Sequence, residues 1–226
     1  MRKLSLFLLP ATLVACGGGD DGPAVIDATG GGDSQAACTI SSTNFNDAGM
    51  LQGAAFFEAN PQNAAEYTIT VQGALEAAEP TDLLVLQFYT GYEPFGTEAA
   101  PTPVVPATYN LTGAQTSFAT CGVCARIATN ATTTGSDDDY FATGGSVTVG
   151  AVGDAVGETL TVSLSNVTFT HVTINADTNV TTPVGDGCDT QITNASFTGM
   201  VMASAKPSMG PALSPAMRAA ANKFRR

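Results

Sequence analysis

Positive charge is almost missing from this chain. Between Lys3 and Lys206 there is no lysine, and the single cation in that span, Arg126, stands against all twenty Asp and Glu, a net charge of −19 from Gly17 to Ala205. Binding to nucleic acid needs Lys and Arg gathered on one face to neutralise phosphates, so nucleic acid is excluded as a partner. Charge of either sign is scarce, at 12% of residues, and there is one histidine, His171. The chain has no glycine-rich phosphate loop, no serine elbow and no metalloprotease helix, and nothing in it asks for a cofactor. From Cys38 to Met202 no repeat is evident and no stretch has a convincing helical period.

What is present is Thr, Ser, Asn, Gly and Ala, a hydroxyl-rich composition in which the β-branched threonines favour strands. About 165 residues, from Cys38 to Met202, are enough for one hydrophobic core. Tyr67, Ile69 and Val71 alternate with Thr68, Thr70 and Gln72, the period of a strand with one wet face. Leu83 to Tyr89 is apolar on both faces and reads as a central strand. Further strands are expected at Thr39–Phe45, Ala54–Glu58, Thr108–Leu111, Ser117–Ala128, Tyr140–Val149, Thr159–Ile174 and Gln191–Val201, with a Pro-rich loop from Thr90 to Ala107. Along Thr159–Ile174 the apolar parity changes twice, which predicts bulges near Ser165-Asn166 and near Thr170-His171; a similar slip falls between Ile192 and Ala195. The expected fold is all-β, a β-sandwich of about eight to ten strands, with a jelly roll or a small barrel as alternatives.

The first residues have a different plan. Arg2 and Lys3 precede an apolar run from Leu4 to Ala15 that is too short to remain in a bilayer as a helix. Leu13-Val14-Ala15-Cys16 then resembles the lipobox of bacterial lipoproteins, and the body is similar in plan to exported β-rich lipoproteins. The resemblance covers residues 1 to about 22 and implies cleavage before Cys16, diacylglycerol on its thiol and acylation, such as palmitate, on its amine. It implies residues 1–15 as signal peptide, 16–37 as lipidated tether, 38–202 as the β-domain and 203–226 as a basic tail. Glycine at position 17, in place of the aspartate that often retains such proteins in the inner membrane, favours the outer membrane, facing the periplasm or the surface. The tether, rich in Gly and Asp, has a mean reach of about 25 Å as a flexible chain. With no catalytic constellation in the sequence, the expected function is a non-catalytic binding, adhesion or structural module on a membrane, with an envelope protein or a carbohydrate as ligand. The competing class is an envelope enzyme, either a carboxylate-based hydrolase or a thiol oxidoreductase.

With Cys16 lipidated, four cysteines remain, Cys38, Cys121, Cys124 and Cys188, and an even number in an exported protein reads as two disulfides. Three pairings exist; the preferred one joins Cys121 to Cys124 and Cys38 to Cys188. The first of these needs a turn or bulge at Gly122, since residues three apart on a straight strand point to opposite faces. Cys121-Gly122-Val123-Cys124 also looks like the CxxC of thioredoxin-type enzymes, but the residues after Cys124 read as strand, without the helix N-terminus that activates such a thiol. Four-cysteine zinc ligation is disfavoured by the isolation of Cys38 and Cys188. Asp137, Asp138 and Asp139 form an acidic turn without the order of an EF-hand; calcium is its sharper reading and a solvated turn its plain one. Tyr89, Tyr92 and Phe95 are candidates to stack on a sugar, beside ordinary loop packing. His171 has no nucleophile at recognisable spacing and reads as a hydrogen-bonded histidine at a strand bend. Five Asn-x-Ser/Thr sequons, at Asn110, Asn130, Asn166, Asn179 and Asn194, reflect composition. The tail, Lys206 to Arg226, carries five cations and no acid; Ser214-Pro215 starts a short helix with a thin apolar stripe, for which disorder is expected, with membrane or self-docking as conditional states.

Overall fold

A computed structural model describes residues 38–204, apart from 47, 62, 78, 79, 133 and 134. The expected signal peptide, lipobox and tether and most of the expected tail fall outside the described residues. Strand dominates: β1 (Gly49–Met50), β2 (Gln52–Asn60), β3 (Asn63–Ala74), β4 (Thr81–Tyr89), β5 (Gly96–Thr97), β6 (Ala100–Pro101), β7 (Ala107–Asn110), β8 (Val123–Ala131), β9 (Asp139–Ala151), β10 (Thr159–Ile174), β11 (Thr181–Pro183) and β12 (Asp189–Ala203). One 3-10 turn, Gly113–Thr116, is the sole helical element among the described residues.

The all-β expectation holds. Strands β2, β3, β4, β8, β9, β10 and β12 succeed one another around the sheet, and β12 pairs with both β10 and β2, so the sheet closes into a circuit. Layers that face each other across the core are thereby hydrogen-bonded into one small barrel. Inward rows such as Leu84, Leu86 and Phe88 on β4 and Leu160, Val162 and Leu164 on β10 fill it. A second apolar cluster lies on the outside, where Val85, Tyr89, Phe118, Cys121, Cys124, Phe141 and Val172 are buried. This explains why β4 reads as apolar on both faces.

The corner of the barrel crosses three strands. On β9 Gly144-Gly145, on β10 Ser165-Asn166 and on β12 Thr193-Asn194 lie abreast, and inward parity changes there from Leu164 and Ala195 to Val167 and Ile192. The bulge near Ser165-Asn166 is therefore where the sequence places it, with Asn166 in the left-handed region at φ 50°. The expected second bulge is not. Thr170, His171 and Val172 pair in unbroken register with Phe141, Tyr140 and Asp139. Val172 and Ile174 instead keep the outward parity and serve the outer cluster. A nearer irregularity occurs at Thr168/Phe169.

Two further expectations are corrected. Thr39–Phe45 forms no ladder, only a bridge from Phe45 to Ile192. Ser42 Oγ bonds locally, donating to Asn44 O and accepting the Asn44 N–H, while the Ser41 N–H donates to Asp82 and Ser42 O accepts from Thr190 Oγ1, so side chains take the places of ladder partners. The strand expected from Ser117 begins only at Val123. The chain before it bends at Gly122, whose N–H donates to Glu93 O; a Cβ there would lie 2.4 Å from that same oxygen.

Candidate functional site

His171 sits at the inward parity of β10, at the end of the barrel where the chain enters the domain. Its ring stacks on Tyr140 of β9, with centroids 5.2 Å apart and planes 19° from parallel. Nδ1 lies 2.6 Å from Asp186 Oδ2, in the loop before β12, and Nε2 lies 3.3 Å from Asp138 Oδ1, just before β9. Thr39 completes the group by donating from Oγ1 to Asp138 Oδ2 at 2.8 Å. Asp186 in turn accepts the Cys188 N–H at 3.0 Å, next to the Cys38–Cys188 disulfide. Four segments distant in sequence thus meet on one imidazole and its two carboxylates.

The charges bias one another. Burial alone lowers the affinity of His171 for a proton, but the Asp186 hydrogen bond and the charges of Asp138 and Asp186 outweigh it, and the net shift is upward. Asp186 is held below the usual carboxylate range, first by the Cys188 N–H and then by His171. Chemically this is an ionic tie. A general base needs a ring nitrogen facing the proton that it takes, and both nitrogens here face carboxylates.

No family model, curated protein or solved structure matches this chain.

The other candidate residues are dispersed. The three consecutive aspartates separate: Asp137 accepts from Asn130 Nδ2 at 2.9 Å, Asp138 belongs to the histidine tie, and Asp139 pairs with Arg126 at 2.9 Å. Among the described residues, no three His, Cys, Asp or Glu side chains are placed to hold a metal ion. Burial raises the Asp139 pKa and Arg126 opposes it. Tyr89 is buried in the outer cluster, Tyr92 packs partly against that cluster, and Phe95 points into the main core against Tyr109. Tyr89 and Tyr92 meet edge to face, with centroids 6.3 Å apart, and Phe95 lies in the other cluster, so the three rings share no stacking face. The bonds are Cys38–Cys188 and Cys121–Cys124, the latter with both residues at 2% exposure or less.

Sequence reasoning passed over several fastenings. Asp82 is fully buried and accepts the N–H groups of Ser41 and Asn130, which pins the entering segment to the barrel. The Gln115 side chain donates to Glu93 O and accepts the Val123 N–H, which ties the 3-10 turn to the start of β8. Nothing local marks these residues, because their partners lie in other segments. Sequons do carry a signal of another kind: Asn130, Asn166 and Asn179 adopt positive φ, a conformation that asparagine tolerates better than most residues.

Proposed function

We infer that this chain is a cell-envelope lipoprotein, held at the outer membrane through Cys16, whose barrel serves as a non-catalytic binding, adhesion or structural module. The anchor rests on the tetrapeptide ending at Cys16. The module reading rests on the histidine tie: the one side chain with an ordinary pKa suited to proton transfer near neutrality has both nitrogens on carboxylates. The thiol-oxidoreductase alternative needs an accessible disulfide at a helix N-terminus, whereas Cys121–Cys124 is buried at the head of a strand. The partner, an envelope protein or a carbohydrate, has no platform in the Tyr89, Tyr92 and Phe95 rings together.

Mass spectrometry of the mature N-terminal peptide should find residues 1–15 removed and Cys16 acylated. An unmodified thiol, or a soluble product that keeps Ala15, would end the anchor reading. The same preparation, exposed to dilute dithiothreitol under native conditions before alkylation, should keep Cys121 and Cys124 unlabelled. Rapid labelling would favour the enzyme.

A further inference from the structure

The outer wall along β12 differs from the rest of the surface. Its outward row runs Ser196, Thr198, Met200, Met202 without a charge, and the two methionines are 68% and 46% exposed. Met202 stands beside Phe56, its Cα partner on β2. The turn at residues 155–158 bonds to Val201 through Gly157 and Glu158 and brings Val156, 57% exposed, to the same end of the strand. Large apolar side chains gathered in water mark a contact surface. Acids border it: Glu58 lies two residues beyond Phe56 on β2, and Asp154 and Glu158 flank Val156, all three exposed. Arg126, the one Lys or Arg among the described residues, is buried in its pair with Asp139.

The chain leaves the barrel at the same place. Ser204 donates its N–H to Phe57 O, and residues 205–226 come next, with five cations, no acid, and Met217, Ala220, Ala221 and Phe224 at helical spacing. We propose that this basic tail docks on its own barrel, its apolar residues over Met200, Met202 and Phe56 and its cations against Glu58, Asp154 and Glu158. Charge and position both select this occupant. The linker from Ala205 to Leu213 reaches on the order of 16 Å as a flexible chain, enough to return the next segment to a surface beside its exit. Tethering at that range gives an effective concentration of about 1 mM, so a contact with Kd of only about 0.1 mM keeps the tail seated about nine-tenths of the time. A second copy of the chain would need millimolar protein to compete.

Beyond Lys3, trypsin reads the tail alone, because Lys206 precedes Pro207 and Arg126 is buried. In the full chain in nonionic detergent at low salt, cleavage at Arg218 and Lys223 should be about tenfold slower than in a synthetic peptide of residues 205–226, the ratio set by those two concentrations. Substituting Met200→Thr and Met202→Thr, both outward and exposed, removes the apolar contact without adding charge and should restore the peptide rate, with Arg126 still uncut as proof that the barrel stays folded. Peptide-like cleavage of the unsubstituted chain, or protection that survives the two substitutions, overturns the proposal. Protection that appears only on anionic vesicles, or that grows with protein concentration, also overturns it and assigns the tail to a membrane or to a second copy.

Discussion

His171 gives the tie at the mouth of the barrel a window of pH. Because folding raises its pKa, its contribution is complete below the unfolded histidine value of 6.5 and is lost as pH climbs through the higher folded value. Asp186 sets the acid limit: its pKa is lowered by folding, so its share is present above the unfolded carboxylate value and is lost as pH falls through the folded one. A proton NMR titration of the one histidine should therefore give a midpoint above 6.5, and a midpoint at or below that value would contradict the tie. His171→Ala should cost about 1–3 kcal/mol, since it leaves Asp138 and Asp186 without their shared donor. Little of this was legible beforehand. His171 stood out as the lone histidine at a suspected bend, but Asp186 lies 15 positions further on and Asp138 looked like part of a solvated turn. Three adjacent aspartates proved to have three separate partners, which only the pairing of β8, β9 and β10 decides.

Strand β10 shows what a parity change in an apolar pattern can and cannot mean. Its bounds, Thr159–Ile174, are those that the sequence suggests, because a long run of Thr and Ser interleaved with apolar residues marks them despite two changes of parity. The first change of parity is a real corner. The second is a change of customer: Val172 and Ile174 face the outer cluster, and a second apolar surface on the far side of a sheet mimics a bulge in one dimension. Ser117–Ala128 misled for a related reason, since apolar residues around a buried disulfide alternate without being in a strand. The corner itself depends on Gly145, at φ 91°, where a Cβ would come 2.4 Å from Asn166 O. Gly145→Ala should lower unfolding stability by at least about 2 kcal/mol, from backbone strain together with the clash. Gly150→Ala is the control, because a Cβ there meets nothing nearer than 3.7 Å, and denaturant unfolding should place its cost below about 1 kcal/mol. Equal costs at the two positions would mean that the corner is not where the strain resides.

For the molecule as a whole, the Cys38–Cys188 bond joins residues 150 positions apart, so nearly the whole barrel lies within one covalent loop. The chain-entropy model gives such a loop about 5 kcal/mol. Replacing both cysteines by serine should lower the unfolding free energy by about 3–5 kcal/mol, and a loss under about 1 kcal/mol would show that the entering segment is held by Asp82 and Asp138 alone. The all-β class was readable from composition, whereas an even cysteine count implies two bonds and leaves three pairings open, of which the preferred one is the one that forms. Closure was not, because nothing in the sequence of β12 says that it takes neighbours on both edges. That double pairing also governs timing. A chain that emerges N-terminus first presents β2 early and β10 later, and both keep an open edge until residues 189–203 arrive between them. Open edges of this kind recruit other strands. The newly made protein therefore passes through a sticky interval that ends only with its last strand, and until then two neighbouring chains can complete one another's sheets.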